Sequence, residues 1–128
     1  MHEKEIEIRW RDLDPYGHVN NAVYLTYLEE ARDEWLELAL GGDGDIWDYV
    51  LARVAVDFRR ELTQDDDRLV ARCALSSLGT SSIRTREELR TRTGDVAAEA
   101  EAVLVARDRE TRTTRPLTST ERAALERA

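Results

Sequence analysis

The sequence predicts an α+β fold in which a curled antiparallel sheet of five strands wraps around one long helix. Three observations carry this. One stretch, Asn21 to Leu40, holds apolar residues at helical spacing. The other apolar segments alternate with a period of two, as half-buried strands do. One such segment precedes the helix and four follow it, separated by turn-forming clusters. One helix cannot cover both faces of five strands, so the sheet is expected to curl and to meet a partner subunit on its other side or edge.

The elements follow in order. Ile6, Ile8 and Trp10 alternate with Glu5, Glu7 and Arg9, which predicts the first strand. "DLDPYGHVNN" is loop, punctuated by Pro15 and Gly17. In the helix, Tyr24, Leu28, Ala31, Trp35 and Leu38 fall on one face, and Val23, Leu25 and Tyr27 widen it near the N-terminal end. Asn20 or Asn21 suits the N-cap, and Gly41 and Gly42 stop the helix. "GGDGDIWDY" is a connection with a helical turn at Ile46 to Tyr49. Ala52, Val54, Val56 and Phe58 mark the next strand, and "TQDDD" reads as a hairpin tip. Leu69 to Leu78 is a strand that "GTSS" breaks. Ser82 to Arg92 is a strongly polar strand, "TGD" a hairpin turn, and Val96 to Arg107 the last strand. Pro116 ends the sheet region. In the short helix over residues 118–128, Thr118 and Glu121 fit a capping box. Residues 1–128 read as a single domain, long enough to bury a core without staples.

Composition narrows the function. A net charge of -8 argues against nucleic acid as a partner, because a polyanion is bound by a basic surface. The single cysteine, Cys73, rules out an internal disulfide, sits in a strand pattern as a small hydrophobe, and points to a reducing, cytoplasmic location. No apolar run approaches ~18 residues and no signal-peptide core is present, so no membrane role is expected. His2, His18 and Cys73 lack ligand spacing, so no metal is expected. No Gly-rich nucleotide loop and no nucleophile-elbow serine appear.

The candidate chemistry lies in "RWRDLDPYGHVNNAVYLTYLEEAR". Asp14 stands in the loop just before a helix N-terminus, where unpaired N–H groups and the positive end of the dipole gather. A carbonyl oxygen resting there would be polarised as in an oxyanion hole, and a nearby carboxylate would attack its carbon or aim a water at it. Gly17 would let substrate approach the backbone closely. A second reading makes Asp14 an ordinary turn initiator before Pro15, with Asp12 alike. His18 fits either a general base or a backbone-bonded loop residue, and Asn20 and Asn21 fit caps. Elsewhere, Thr80, Ser81, Ser82, Arg84 and Arg86 of "GTSSIRTR", with Arg59 and Arg60, suit either a phosphate or a solvated strand face.

The pattern Asp-x-Asp-x-x-Gly-His-Val-Asn-Asn followed by an aromatic-rich helix resembles the opening of the hotdog-fold acyl-CoA thioesterases of the 4-hydroxybenzoyl-CoA thioesterase type. "VAVDFRRELTQDDDRLVARCALSSLGTSSI" and "AEAEAVLVARDRETRTTRPL" resemble that family's central strands and tail, so the likeness runs from about Glu5 to Leu117. The resemblance implies a hotdog fold, a homodimer or homotetramer with its sheets joined edge to edge, and a small-molecule acyl-CoA thioester held at the subunit interface. It makes Asp14 the catalytic carboxylate, as nucleophile or general base, and the backbone N–H near Asn21, with Gly17 and His18 close by, the support for the carbonyl. The "GTSS" segment and the neighbouring arginines, supplied by the other subunit, would hold the nucleotide end of coenzyme A, which enters as substrate, so that no cofactor is required. Some relatives carry histidine or tyrosine where this chain has Asn21. The rival readings are a non-catalytic acyl-CoA-binding hotdog protein, an acyl-carrier-protein thioesterase, and a dehydratase, which would want a histidine at the helix start.

Overall fold

A computed structural model describes residues 1–128. Five strands, β1 (His2–Glu7), β2 (Tyr49–Phe58), β3 (Arg68–Leu78), β4 (Ser82–Thr91) and β5 (Val96–Ala106), accompany α1 (Asn21–Leu40) and α2 (Ser119–Arg127). They form one antiparallel sheet in the order β1-β3-β4-β5-β2, curled against α1. The expected architecture is present, and α1 has the predicted limits. Asn20 caps it through its side chain, which accepts from the Ala22 N–H, and Gly41 ends it at φ 56°. Thr118 and Glu121 form the expected capping box on α2.

Two expectations about the strands fail. "TQDDD" is not a hairpin tip. It contains a 3-10 turn, Gln64–Asp66, inside a crossover, because β2 pairs only with β5 while β3 pairs with β1 and β4. Alternation identifies a strand but carries no record of its partner. Trp10 does not extend β1. It begins a 3-10 turn, Trp10–Asp12, and is 83% exposed.

The core has two lobes spanned by α1. One gathers Ile8, Val19, Tyr24, Tyr27, Leu28, Leu62 and Leu69. The other gathers Trp35, Leu36, Leu40, Tyr49, Ile83, Leu104 and Leu125. Leu38, expected on the buried face, is exposed, and its place is taken by Leu36 and Leu40. Cys73 is buried as expected, and burial pushes its thiol pKa up, so it stays an inert packing group.

An ion pair crosses the core. On the inward side of the polar strand β4, Glu87 meets Arg32 of α1 through two hydrogen bonds, Nε–Oε2 at 2.8 Å and Nη2–Oε1 at 2.9 Å. The Thr85 hydroxyl donates to the same carboxylate at 2.5 Å. Both charged side chains are enclosed, which is why the fork geometry of arginine is used there.

Candidate active site

The loop between β1 and α1 folds on itself as a miniature hairpin. Leu13 and Val19 form an isolated antiparallel bridge, and the Asp14 N–H donates to the His18 carbonyl at 2.7 Å. Pro15 and Gly17 occupy the turn, where the Gly17 N–H returns to the Asp14 carbonyl and Gly17 takes φ 85°. The Asp14 carboxylate locks this turn: Oδ1 accepts from the Tyr16 N–H at 2.9 Å and the His18 N–H at 3.2 Å. Its Oδ2 accepts from no group of the chain. The structural and chemical readings of Asp14 are therefore compatible, one oxygen serving each.

Asp12 is a different case. It is buried, and its carboxylate accepts from the Tyr27 hydroxyl at 2.6 Å and the Arg9 N–H at 3.0 Å. Burial and the Asp12 carboxylate push the Tyr27 phenol pKa far up, so the proton stays on the phenol. Asp12 is a strut that ties the loop to α1 through a buried donor, while Asp14 is half-buried and open on one side.

Seven residues meet around a cleft of about 360 Å³: Asp14, His18, Val19, Asn20, Asn21, Tyr24 and Glu61. Asn20 uses its side chain on the Ala22 N–H and its carbonyl on the Val23 N–H. The Asn21 N–H, first of the helix, finds no acceptor in the chain. An anion or a polarised oxygen suits that position. The Tyr24 hydroxyl is committed to the Arg60 carbonyl at 2.9 Å, and its ring packs edge-on against Phe58 with centroids 5.2 Å apart. The floor of the cleft is stitched to the crossover by the Val19 N–H donating to the Leu62 carbonyl and by a bridge between His18 and Thr63.

The fold thus brings Asp14, Gly17, His18 and Asn21 together. It separates the residues considered for a nucleotide. Arg59 and Arg60 lie beside the cleft at the far end of β2, both exposed and both paired with acids: Arg59 with Glu99 at 3.1 Å, Arg60 with Asp66 at 3.0 Å. Thr80, Ser81 and Ser82 lie in the β3–β4 turn at the opposite end of the sheet. Ser82 is in register with Val105, and Val105 with Val50. From Val50 to Arg59 is nine residues of strand, roughly 30 Å at ~3.3 Å each. Within one chain these two groups do not meet at one phosphate. Sequence reasoning missed two neighbours. Glu61 enters the cleft from the crossover, and Arg122 of α2 donates to the Gly79 carbonyl at 2.7 Å beside Thr80. Neither carries a periodic signal; both are placed by long-range packing.

The family model described as the Thioesterase-like superfamily matches residues 8–125. The long-chain acyl-CoA thioesterase FadM of Escherichia coli is 36% identical over 70 residues, 50% of this chain and 51% of that protein. The chloroplastic acyl-acyl carrier protein thioesterase ATL3 of Arabidopsis thaliana is 49% identical over 37 residues, 29% of this chain and 20% of that protein. The matches thus span about half of the first of these curated relatives and a fifth of the second. A crystal structure of a thioesterase from Thermus thermophilus, complexed with coenzyme A and Zn, superposes with a TM-score of 0.88 at 31% identity, covering 98% of this chain and 91% of that one.

Proposed function

Since this chain belongs to the Thioesterase-like superfamily, we propose that it is a thioester hydrolase that cleaves an acyl-CoA to the free acid and coenzyme A. The observation that carries the reading is a single cleft lined by both Asp14, whose Oδ2 is free, and Asn21, whose N–H is unpaired. The thioester carbonyl oxygen rests on the amides that begin α1, and charge developing on that oxygen is stabilised there. A donor of that kind contributes about 2.7–4 kcal/mol to the transition state in enzymes where it has been removed. Asp14 Oδ2 attacks the carbonyl carbon or takes a proton from an attacking water. Gly17, with φ 85° and no side chain, leaves the mouth of the turn clear. No metal is used in this reading, and coenzyme A enters as part of the substrate.

A second copy of the chain completes the site. β2 is an edge strand, and Leu51 and Phe58 along it are exposed. Antiparallel pairing of two β2 edges brings the start of one β2 beside the end of the other. The Thr80–Ser82 turn lies on that same end of the sheet, two strands in from β2, about 10 Å at the usual spacing. The turn of one copy and Arg59 and Arg60 of the other then flank one nucleotide, which answers the roughly 30 Å between them in a single chain. The ATL3 match favours an acyl-carrier-protein thioester as a second form of the substrate. The test is thiol release from a panel of aryl-CoA, fatty acyl-CoA and acyl-carrier-protein thioesters. Binding of these without release by the intact protein would replace a hydrolase with an acyl-CoA-binding protein.

A further inference from the structure

The cleft holds a second carboxylate besides Asp14. Glu61 stands on the crossover after β2, and its Oε2 lies 3.3 Å from His18 Nε2. No other cation pairs with Glu61: Arg60 next to it turns to Asp66 and Asp95. The His18 backbone is fixed on both sides, its N–H on Asp14 Oδ1 and its carbonyl on the Asp14 N–H. A histidine that shares a cleft with a carboxylate nucleophile and stands beside a second acid has the parts of the arrangement that activates nucleophiles and waters in unrelated hydrolases. Separation and alignment in such pairs tighten when substrate is bound.

We propose that Glu61 is a positioning residue for His18, and that His18 is the general base of the second half of the reaction. The proposal rests on the thioesterase reading above and divides the labour within it. An Nε2 proton shared with Glu61 would leave Nδ1 of the imidazole free to accept a proton. Asp14 Oδ2 attacks the thioester carbon; the C–S bond breaks, its electron pair leaves on sulfur, and the acyl group is held as an anhydride on Asp14. A water then adds to the acyl carbon and gives one proton to His18. The bond to Asp14 breaks, the acid departs, and the imidazolium returns its proton to the coenzyme A thiolate. The sum is thioester plus water to acid plus thiol, with no other reactant. Two amide hydrogen bonds on Asp14 Oδ1 hold the carboxylate still for attack by Oδ2, while His18 relieves Asp14 of proton transfer.

The experiment compares Glu61→Gln, Glu61→Asp, His18→Gln and the double variant Glu61→Gln/His18→Gln with the intact chain, on thiol release from benzoyl-, hexanoyl- and palmitoyl-CoA. Neither side chain is buried, so thermal midpoints should not move. The expected result is a fall in kcat of about 10–100-fold for Glu61→Gln with KM within about threefold, and about 10²–10⁴-fold for His18→Gln. Glu61→Asp keeps a carboxylate and recovers part of the loss, and the double variant is no slower than His18→Gln alone. Full kcat in Glu61→Gln, or losses that multiply in the double variant, would overturn the pairing while leaving the thioesterase reading intact. An intact chain that releases no thiol from any ester would overturn both.

Discussion

Replacing Asp14 separates the proposed chemistry from scaffolding, because Oδ1 holds the turn while the reaction is assigned to Oδ2. In Asp14→Asn the side-chain oxygen still accepts from the Tyr16 and His18 N–H groups, and those two donors fix which way the amide points. The NH₂ then occupies the position of Oδ2, where it neither attacks nor takes a proton. Thermal stability should be that of the parent. Thiol release should fall about 10²–10⁴-fold if the carboxylate acts only as a base, and roughly 10⁶-fold if it is the nucleophile. Asp14→Ala removes the acceptor as well. Two amides lose a hydrogen bond worth about 0.5–1.5 kcal/mol each, toward the lower end because water reaches the turn, so about 1–2 kcal/mol in all. With an unfolding entropy near 2.1 cal/mol/K per residue, a chain of this length has about 0.27 kcal/mol/K, and the midpoint should drop by about 4–7 °C. Thiol release with a maleimide or disulfide dye and a calorimetric scan measure both effects on the same samples. Asp14→Asn working within threefold of the parent, with the parent active, would refute the assignment of Oδ2. A midpoint that falls as far in Asn as in Ala would refute the division between the oxygens.

Two further predictions concern the scaffold. Glu87→Ala leaves the Arg32 guanidinium enclosed without its partner, a loss of about 3–5 kcal/mol or about 11–19 °C; Arg32→Met/Glu87→Leu, which removes both charges, should recover most of it in urea unfolding, and a double variant as unstable as the single one would contradict this account of the pair. Acid should loosen α2. Burial alone would raise the Glu121 pKa, but hydrogen bonds from Arg115 and the Thr118 N–H outweigh it and hold the carboxyl at about 2, below its ordinary 4.5. A depressed carboxyl stabilises above its unfolded pKa and loses that contribution as pH falls through the folded one. Stability should therefore decline between about pH 4.5 and 2, and this part of the decline should vanish in Glu121→Gln.

What the sequence determined by itself was local. The limits of α1 were legible because Asn20 and Gly41 act on their own neighbours, and because a 3.6-residue period does not depend on what the face packs against. The Asp14 turn and the α2 capping box were legible for the same reason: their hydrogen bonds span two to four residues. The family pattern around Asp14 and Gly17 lies in that same short segment.

Only the tertiary structure decided which strands are neighbours, since alternation is the same whether β2 pairs with β3 or with β5. That choice turns "TQDDD" from a hairpin into a crossover, and the crossover is what carries Glu61 to within 3.3 Å of His18, 43 positions away. It also sets Thr80–Ser82 and Arg59 at opposite ends of one sheet. The inward turn of Glu87 on a polar strand depended on Arg32, 55 residues distant, being there to meet it. Contacts of this range are fixed by the chain's whole packing, in which no single segment holds the information.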